Sequence, residues 1–195
     1  MRPTPDRVRE TVFNWLEHLQ ARRWDNRRCL DLFAGSGALG FEAASRGAAE
    51  VVMVEAHAGV LRNLQAVCDK LKAHQVQLRQ GDATQLLASL PGQFDLIFLD
   101  PPYQQQQLPQ LLPACLPRLQ PDGLVYIESD QPFVLGSTGK AGKARDRQAP
   151  SDATLPSQAS NQSNASVPDW LAAWQILRSG KAGQVHFALL SPAPL

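Results

Sequence analysis

Asp100-Pro101-Pro102-Tyr103 closes a strongly apolar stretch that begins at Phe94. The four residues join a carboxylate, two positions without an N–H donor and a flat aromatic face. The prolines fix the backbone and leave carbonyls free to accept hydrogen bonds from another molecule. That set suits methyl transfer to the exocyclic amino group of a nucleobase. Such a nitrogen delocalises its lone pair into the ring and is a poor nucleophile. If the Asp100 carboxylate and the Pro101 carbonyl accept its two N–H bonds, the lone pair localises toward the methyl donor. Tyr103 would stack on a base that is flipped out or single-stranded. In a chain with no cofactor loop, the same residues would read as a rigid turn with a capping Asp.

A cofactor loop is present. Gly35-Ser36-Gly37-Ala38-Leu39-Gly40 fits G-x-G-x-x-G, after an expected strand and at the start of an expected helix. Glu55 follows at the end of the next strand. Loop and acid together fit a nucleotide-binding unit, with glycines for close backbone approach and a carboxylate for the ribose hydroxyls. Asp31 stands four residues before Gly35, where an acid would repel a pyrophosphate. It would suit a ligand carrying a positive group, such as the ammonium of S-adenosylmethionine. Gly81-Asp82-Ala83 adds an acceptor for an adenine amino group and a backbone N–H for the ring edge, although Asp82 is equally a plain helix N-cap.

These residues need a scaffold that brings strand ends together. Thr4-Pro5 opens a helix with Val8, Val12, Trp15, Leu16 and Leu19 on one stripe. Strands are expected at Cys29 to Phe33, Val51 to Glu55, Val76 to Arg79, Phe94 to Asp100 and Leu124 to Glu128. Helices are expected at Ala38 to Arg46, ended by Gly47, at Ala58 to Leu71 and at Ala83 to Leu90. Leu108 to Leu119 has a helical pattern that Pro109, Pro113 and Pro117 should interrupt or distort. Trp174 to Arg178 and Gln184 to Leu190 read as a hairpin around the loop Ser179 to Gly183. The alternation predicts an α/β fold: a mostly parallel seven-stranded sheet with an antiparallel C-terminal hairpin and helices on both faces. The expected organisation is an opening helix over 1–27, a cofactor-binding and catalytic core over 28–135, an insertion over 136–168 and the completing hairpin over 169–195. The insertion is rich in Ser, Ala, Gly, Gln and Pro and poor in large apolar residues, so it is expected to be disordered.

Composition narrows the classes. The 195 residues are 44% hydrophobic and 19% charged, with 19 Lys+Arg against 18 Asp+Glu and a net charge of +1. That balance excludes a histone-like protein, while local patches leave nucleic acid open. No run approaches the roughly 18 apolar residues of a membrane span, so no membrane partner is expected, and the first residues lack the apolar core of a signal peptide. Cys29, Cys68 and Cys115 are far apart and read as small buried hydrophobes in a reducing cytoplasm. With the four histidines equally scattered, no metal is expected.

Three segments together resemble the RsmD family, bacterial class I S-adenosylmethionine-dependent methyltransferases of guanine N2 in 16S rRNA. They are Arg2-Pro3-Thr4-Pro5-Asp6-Arg7-Val8-Arg9-Glu10 with the following Phe13-Asn14-Trp15-Leu16, Leu30 to Gly40, and Asp100-Pro101-Pro102-Tyr103. Lys181-Ala182-Gly183-Gln184-Val185 also fits the family's last hairpin. The resemblance implies that Asp31, Ala34, Gly35, Ser36 and Gly37 hold the methionine end of the cofactor. Glu55 would hold the ribose, and Asp82 and Ala83 the adenine. Asp100, Pro101, Pro102 and Tyr103 would present the guanine, and Thr4 and Arg7 would close over the cofactor. It implies 16S rRNA, naked or in a partly assembled small subunit, as partner of a monomeric cytoplasmic enzyme.

Two features depart from the family pattern. The family's short basic β-hairpin before Arg2-Pro3-Thr4 is missing, so the expectation is either a natural start upstream of Met1 or weak RNA docking by this chain. The 136–168 insertion is longer than expected. Three competing functions stay open: another D-P-P-Y amino methyltransferase acting on adenine N6 or a different RNA, a nicotinamide-dependent dehydrogenase, and a non-catalytic RNA-binding relative. Asp31 and the D-P-P-Y segment count against the second.

Overall fold

The structure is a computed structural model that describes residues 6–19, 23–102, 104–133 and 169–194, with backbone alone at 104–106. Thr4, Tyr103 and the insertion read over 136–168 lie outside the described residues.

Helix α1 spans Asp6–Leu19, α2 Ala38–Ser45, α3 Ala58–Leu71, α4 Ala83–Ser89 and α5 Gln104–Cys115. The strands are β1 Arg28–Asp31, β2 Glu50–Glu55, β3 Val76–Gln80, β4 Phe94–Leu99, β5 Leu119–Ser129, β6 Trp174–Ala182 and β7 Val185–Pro192. They form one sheet in the order β3-β2-β1-β4-β5-β7-β6. Pairings from β3 through β5 are parallel, and β7 runs antiparallel to both β5 and β6. This is the expected architecture. The strand order reverses between β1 and β4, and in open α/β sheets that switch point is where ligands bind.

Central strands are apolar on both sides because both sides are covered. Along β4, Ile97 and Leu99 face a cluster containing Leu87, Leu108, Leu111 and Leu112 of α4 and α5. Leu96 and Phe98 face the opposite cluster, with Val8, Val12, Phe13 and Leu16 of α1 and Leu39 and Ala43 of α2. The strands thus read as continuous hydrophobic runs rather than alternating ones.

The α1 stripe differs from expectation. Phe13 is fully buried, stacking on Trp24 at 5.6 Å and lying 5.8 Å from Phe98, whereas Leu19 is 36% exposed. The large ring turns the buried stripe toward Phe13, and Leu19 sits at the last position of the helix, beyond that contact. Gly47 ends α2 as expected, with φ +98° and its N–H donated to the Ala44 carbonyl. All three cysteines are buried and unbridged.

Three local expectations are corrected. Helix α5 runs through Pro109 and Pro113, and only Pro117 lies beyond it, in a 3₁₀ turn at Leu116–Arg118. The prolines are spaced four apart on the outer side, while Leu108, Leu111, Leu112 and Cys115 are buried. The hydrogen bonds they cannot make thus fall on the side away from the core, where a helix tolerates proline best. Strand β5 starts at Leu119 rather than Leu124, with a register shift opposite Phe94 and Leu96. Finally, Ser179 to Ala182 belong to β6, and the hairpin turns at Gly183 and Gln184 between the paired Ala182 and Val185. Gly183 supplies the positive φ, +61°, that a two-residue turn places at its first position. Gly180 fits a strand because the Phe187 ring covers it; an added Cβ would lie 2.6 Å from that ring.

Candidate active site at the carboxyl edge of the sheet

The parallel strands deliver their last residues to one edge. Asp31 ends β1, Glu55 ends β2, Asp82 caps α4 just after β3, and Asp100 follows β4. In register, Asp31 pairs with Met53, and Leu99 pairs with Ile127, so β5 continues past the end of β4 with Glu128 and Ser129.

The glycine loop is built from backbone hydrogen bonds. Gly37 N–H donates to the Ala34 carbonyl at 2.6 Å, and Ala34 N–H donates to the Val54 carbonyl at 2.9 Å. Gly35 and Gly37 have φ of +50° and +79°, values that glycine adopts without strain. A Cβ at Gly37 would lie 2.5 Å from the Phe41 ring, and one at Gly40 would lie 2.3 Å from Met53 Cε. The third glycine of the motif thus serves the seating of α2 on β2, while the second makes room for Phe41 of α2 and Leu64 of α3.

Two buried carboxylates tie this loop down. Asp31 accepts from Gly40 N–H at 3.2 Å and from Phe33 N–H at 3.4 Å. Burial pushes its carboxyl up to about 7, the two N–H groups pull down, and the Glu55 charge adds to the rise. Glu55 accepts from Gly35 N–H at 3.1 Å and from His57 N–H at 2.9 Å. One oxygen therefore fixes the glycine loop and the other the start of α3.

A cavity of about 430 Å³ opens beside Glu55, within the usual range for small-molecule sites. Leu32, Phe33, Val54 and Val60 give it apolar walls. Glu55, His57, Asp82 and Gln107 bring polar groups, and Ala56, Gly81, Ala83 and Pro102 complete it. Asp82 lines this cavity and also caps α4, its Oδ1 accepting from Gln85 N–H at 3.0 Å. A second groove of about 280 Å³, sharing Val60, runs along Gly35 and Ser36 to Asn63, Leu64 and Val67.

The structure thus gathers Glu55, Asp82, Ala83 and Pro102 on one cavity, with Gly35 and Ser36 on the next groove. Asp31, Ala34, Gly37, Asp100 and Pro101 line neither; Asp31 sits behind the loop, and Pro101 is buried. Arg7 is exposed on the first turn of α1. Two residues beside Asp100 carried no role in the sequence reading. Tyr126 donates its hydroxyl to Glu128 Oε1 at 2.7 Å, and both are buried. Burial, the Glu128 carboxylate and then Asp100 push the Tyr126 hydroxyl well up, so it stays a donor. The signal for Glu128 was a charged residue ending the apolar run Leu124 to Ile127, the pattern that marks Glu55. His57, Val60 and Gln107 had no such signal.

The donor set fits S-adenosylmethionine. A carboxylate at the end of β2, an acceptor and a free helix-start N–H after β3 and apolar walls between them suit an adenosine, and the buried acids nearby suit a cationic tail. The family model described as Conserved hypothetical protein 95 matches residues 1–154. The chain belongs to this family, the RsmD family. Among its relatives is Ribosomal RNA small subunit methyltransferase D of Escherichia coli strain K12, 37% identical over 132 residues that cover 67% of this chain and 65% of that protein. The Haemophilus influenzae protein of the same name is 37% identical over 142 residues, 69% of this chain and 72% of its own length. The matched part thus spans just under two thirds of the E. coli relative. A solved E. coli structure with a provisional methyltransferase assignment superposes with a TM-score of 0.71 at 30% identity, covering 98% of this chain and 88% of that one. Among the described residues, no helix is long and apolar enough to cross a membrane.

Proposed function

We propose that this chain transfers a methyl group from S-adenosylmethionine to the exocyclic N2 of a guanine in 16S rRNA, naked or in a partly assembled small subunit. One observation carries the reading: Pro102 of the D-P-P-Y segment lines the same cavity as Glu55 and Asp82. The residues suited to a cofactor and those suited to an amino group thus share one edge of the sheet.

In this reading Glu55 takes the ribose hydroxyls with the lone pairs left after binding Gly35 and His57. Asp82 accepts from the adenine amino group, and Ala83 N–H, at the open start of α4, meets the ring. Gly35, Ser36 and Gly37 shape the methionine end, with Ala34 closing the turn and Asp31 holding the loop from behind. Thr4 and Arg7 close over the cofactor. When bound, S-adenosylmethionine supplies an electrophilic methyl group. Asp100 and the Pro101 carbonyl accept the two N–H bonds of the base, which localises the nitrogen lone pair. Pro102 keeps that carbonyl's direction fixed, and Tyr103 holds the unstacked base by its face. Orientation of the two reactants supplies much of the rate.

The test is methylation of small-subunit rRNA by the purified chain with a labelled methyl donor, followed by nuclease digestion and mass analysis. N2-methylguanosine is the expected product. N6-methyladenosine would replace the guanine assignment, and absence of any methylated nucleoside on both naked rRNA and immature subunits would end the methyltransferase reading.

A further inference from the structure

Gln107 lies near the start of α5 and lines the same cavity as Glu55 and Asp82. Its Oε1 is buried without a hydrogen-bond partner among the described residues. Among the described residues the other such side-chain atom is Trp174 Nε1, which is not part of the cavity. Buried polar atoms are almost always paired, and an orphan calls for a physical reason. At a cavity wall the simplest reason is a donor that arrives with a ligand.

The donors and acceptors around the cavity identify the ligand group. Asp82 commits Oδ1 to Gln85 N–H at 3.0 Å, which leaves Oδ2. Gln107 contributes a second acceptor from a different helix. Ala83, at the first position of α4, has an N–H without an intrahelical partner. Two acceptors and one donor match a 6-aminopurine, whose amino group has two N–H bonds and whose N1 accepts. A 6-oxopurine reverses both signs, presenting an oxygen to the acceptors and N1–H to the donor. We propose that Gln107 Oε1 is the second acceptor for the 6-amino group of the cofactor's purine, so that Gln107 is a specificity-determining residue for adenine. The assignment rests on the S-adenosylmethionine reading above.

The test is calorimetry on the full chain with two ligands: S-adenosylhomocysteine, and its analogue with hydrogen in place of the 6-amino group. Wild type is expected to bind the amino compound at least fivefold more tightly. Gln107→Leu should lower affinity for the amino compound about five- to tenfold and leave the deaminated analogue within twofold. Gln107→Glu, which keeps acceptors at that position, should retain the amino preference. Gln107→Leu should melt no lower than wild type without ligand, because an unpaired buried acceptor is replaced by apolar surface. Equal binding of the two ligands by wild type would overturn the assignment. So would unchanged affinities in Gln107→Leu, or an equal loss for both ligands. Failure of wild type to bind S-adenosylhomocysteine at all would instead overturn the cofactor reading, and this assignment with it.

Discussion

At the N-terminal edge of the sheet, acids are met by arginines. Asp95 accepts from Arg27 Nη1 at 3.0 Å and from Arg28 N–H at 2.8 Å, and Arg28 Nε pairs with Glu50. The Arg28 guanidinium also lies 4.8 Å from the centre of the Phe94 ring. This clasp joins the first residues of β1, β2 and β4. At the opposite edge, Asp31 and Glu55 are met by backbone N–H groups of Phe33, Gly40, Gly35 and His57. Amide dipoles satisfy hydrogen bonding without cancelling charge. The first edge is neutral and complete, which suits a fastening. The second leaves its buried acids without a cation, so burial raises the Asp31 carboxyl to about 7, and a ligand bringing positive charge would favour its ionised form.

Substitutions at the two edges should separate activity from stability. The largest effect belongs to Asp100→Ala, expected to lower single-turnover methyl transfer on the order of 100-fold or more while cofactor affinity changes little. Full retained turnover would remove Asp100 from the chemistry. Next is Asp31. Its folded value of about 7 lies above the ordinary 3.8, so the fold takes up a proton that the unfolded chain releases. The resulting stabilisation is complete below about pH 4 and is lost as pH rises through 7, a swing on the order of a few kcal/mol. Melting of wild type against Asp31→Asn from pH 4 to 8 should show the wild-type advantage shrinking; a constant difference would contradict it.

Glu55→Ala frees both the glycine loop and the start of α3, and should weaken S-adenosylhomocysteine binding about tenfold or more. Calorimetry reads this directly, and wild-type affinity in the variant would show that the loop stands without Glu55. The smallest effect is expected at the far edge. Asp95→Ala should cost about 1–2 kcal/mol of stability, because the pairs are partly solvated, and leave ligand affinity untouched. A matching loss of affinity would mean the two edges are coupled through β4.

The sheet was legible because its strands are covered on both faces. Phe94 to Leu99 could be read as buried without knowing the partner, and the glycine loop fixed which edge would carry the site. Continuity of α5 was not legible, since propensity counts Pro109 and Pro113 as breaks and says nothing of which side faces water. Phe13 was passed over because its place on the stripe depends on Trp24 and Phe98, distant in sequence. Glu55 and Asp82 were readable from their positions after strands. Gln107 was not: its place on the cavity follows from how α5 packs, and one glutamine in the run Gln104 to Gln107 looks like any other.

Among the described residues, strands β3 and β6 each have an unpaired side, and an open sheet with such borders is a template for further strands. On β6 the register slips between Ile176 and Arg178, so the row of amide and carbonyl groups is uneven. Arg178 and Lys181 add charge along the same border, and Arg79 does so on β3. A strand from another molecule would have to match a broken ladder and desolvate those cations. The bulge that looks like an imperfection of the hairpin therefore guards the protein against edge-to-edge aggregation.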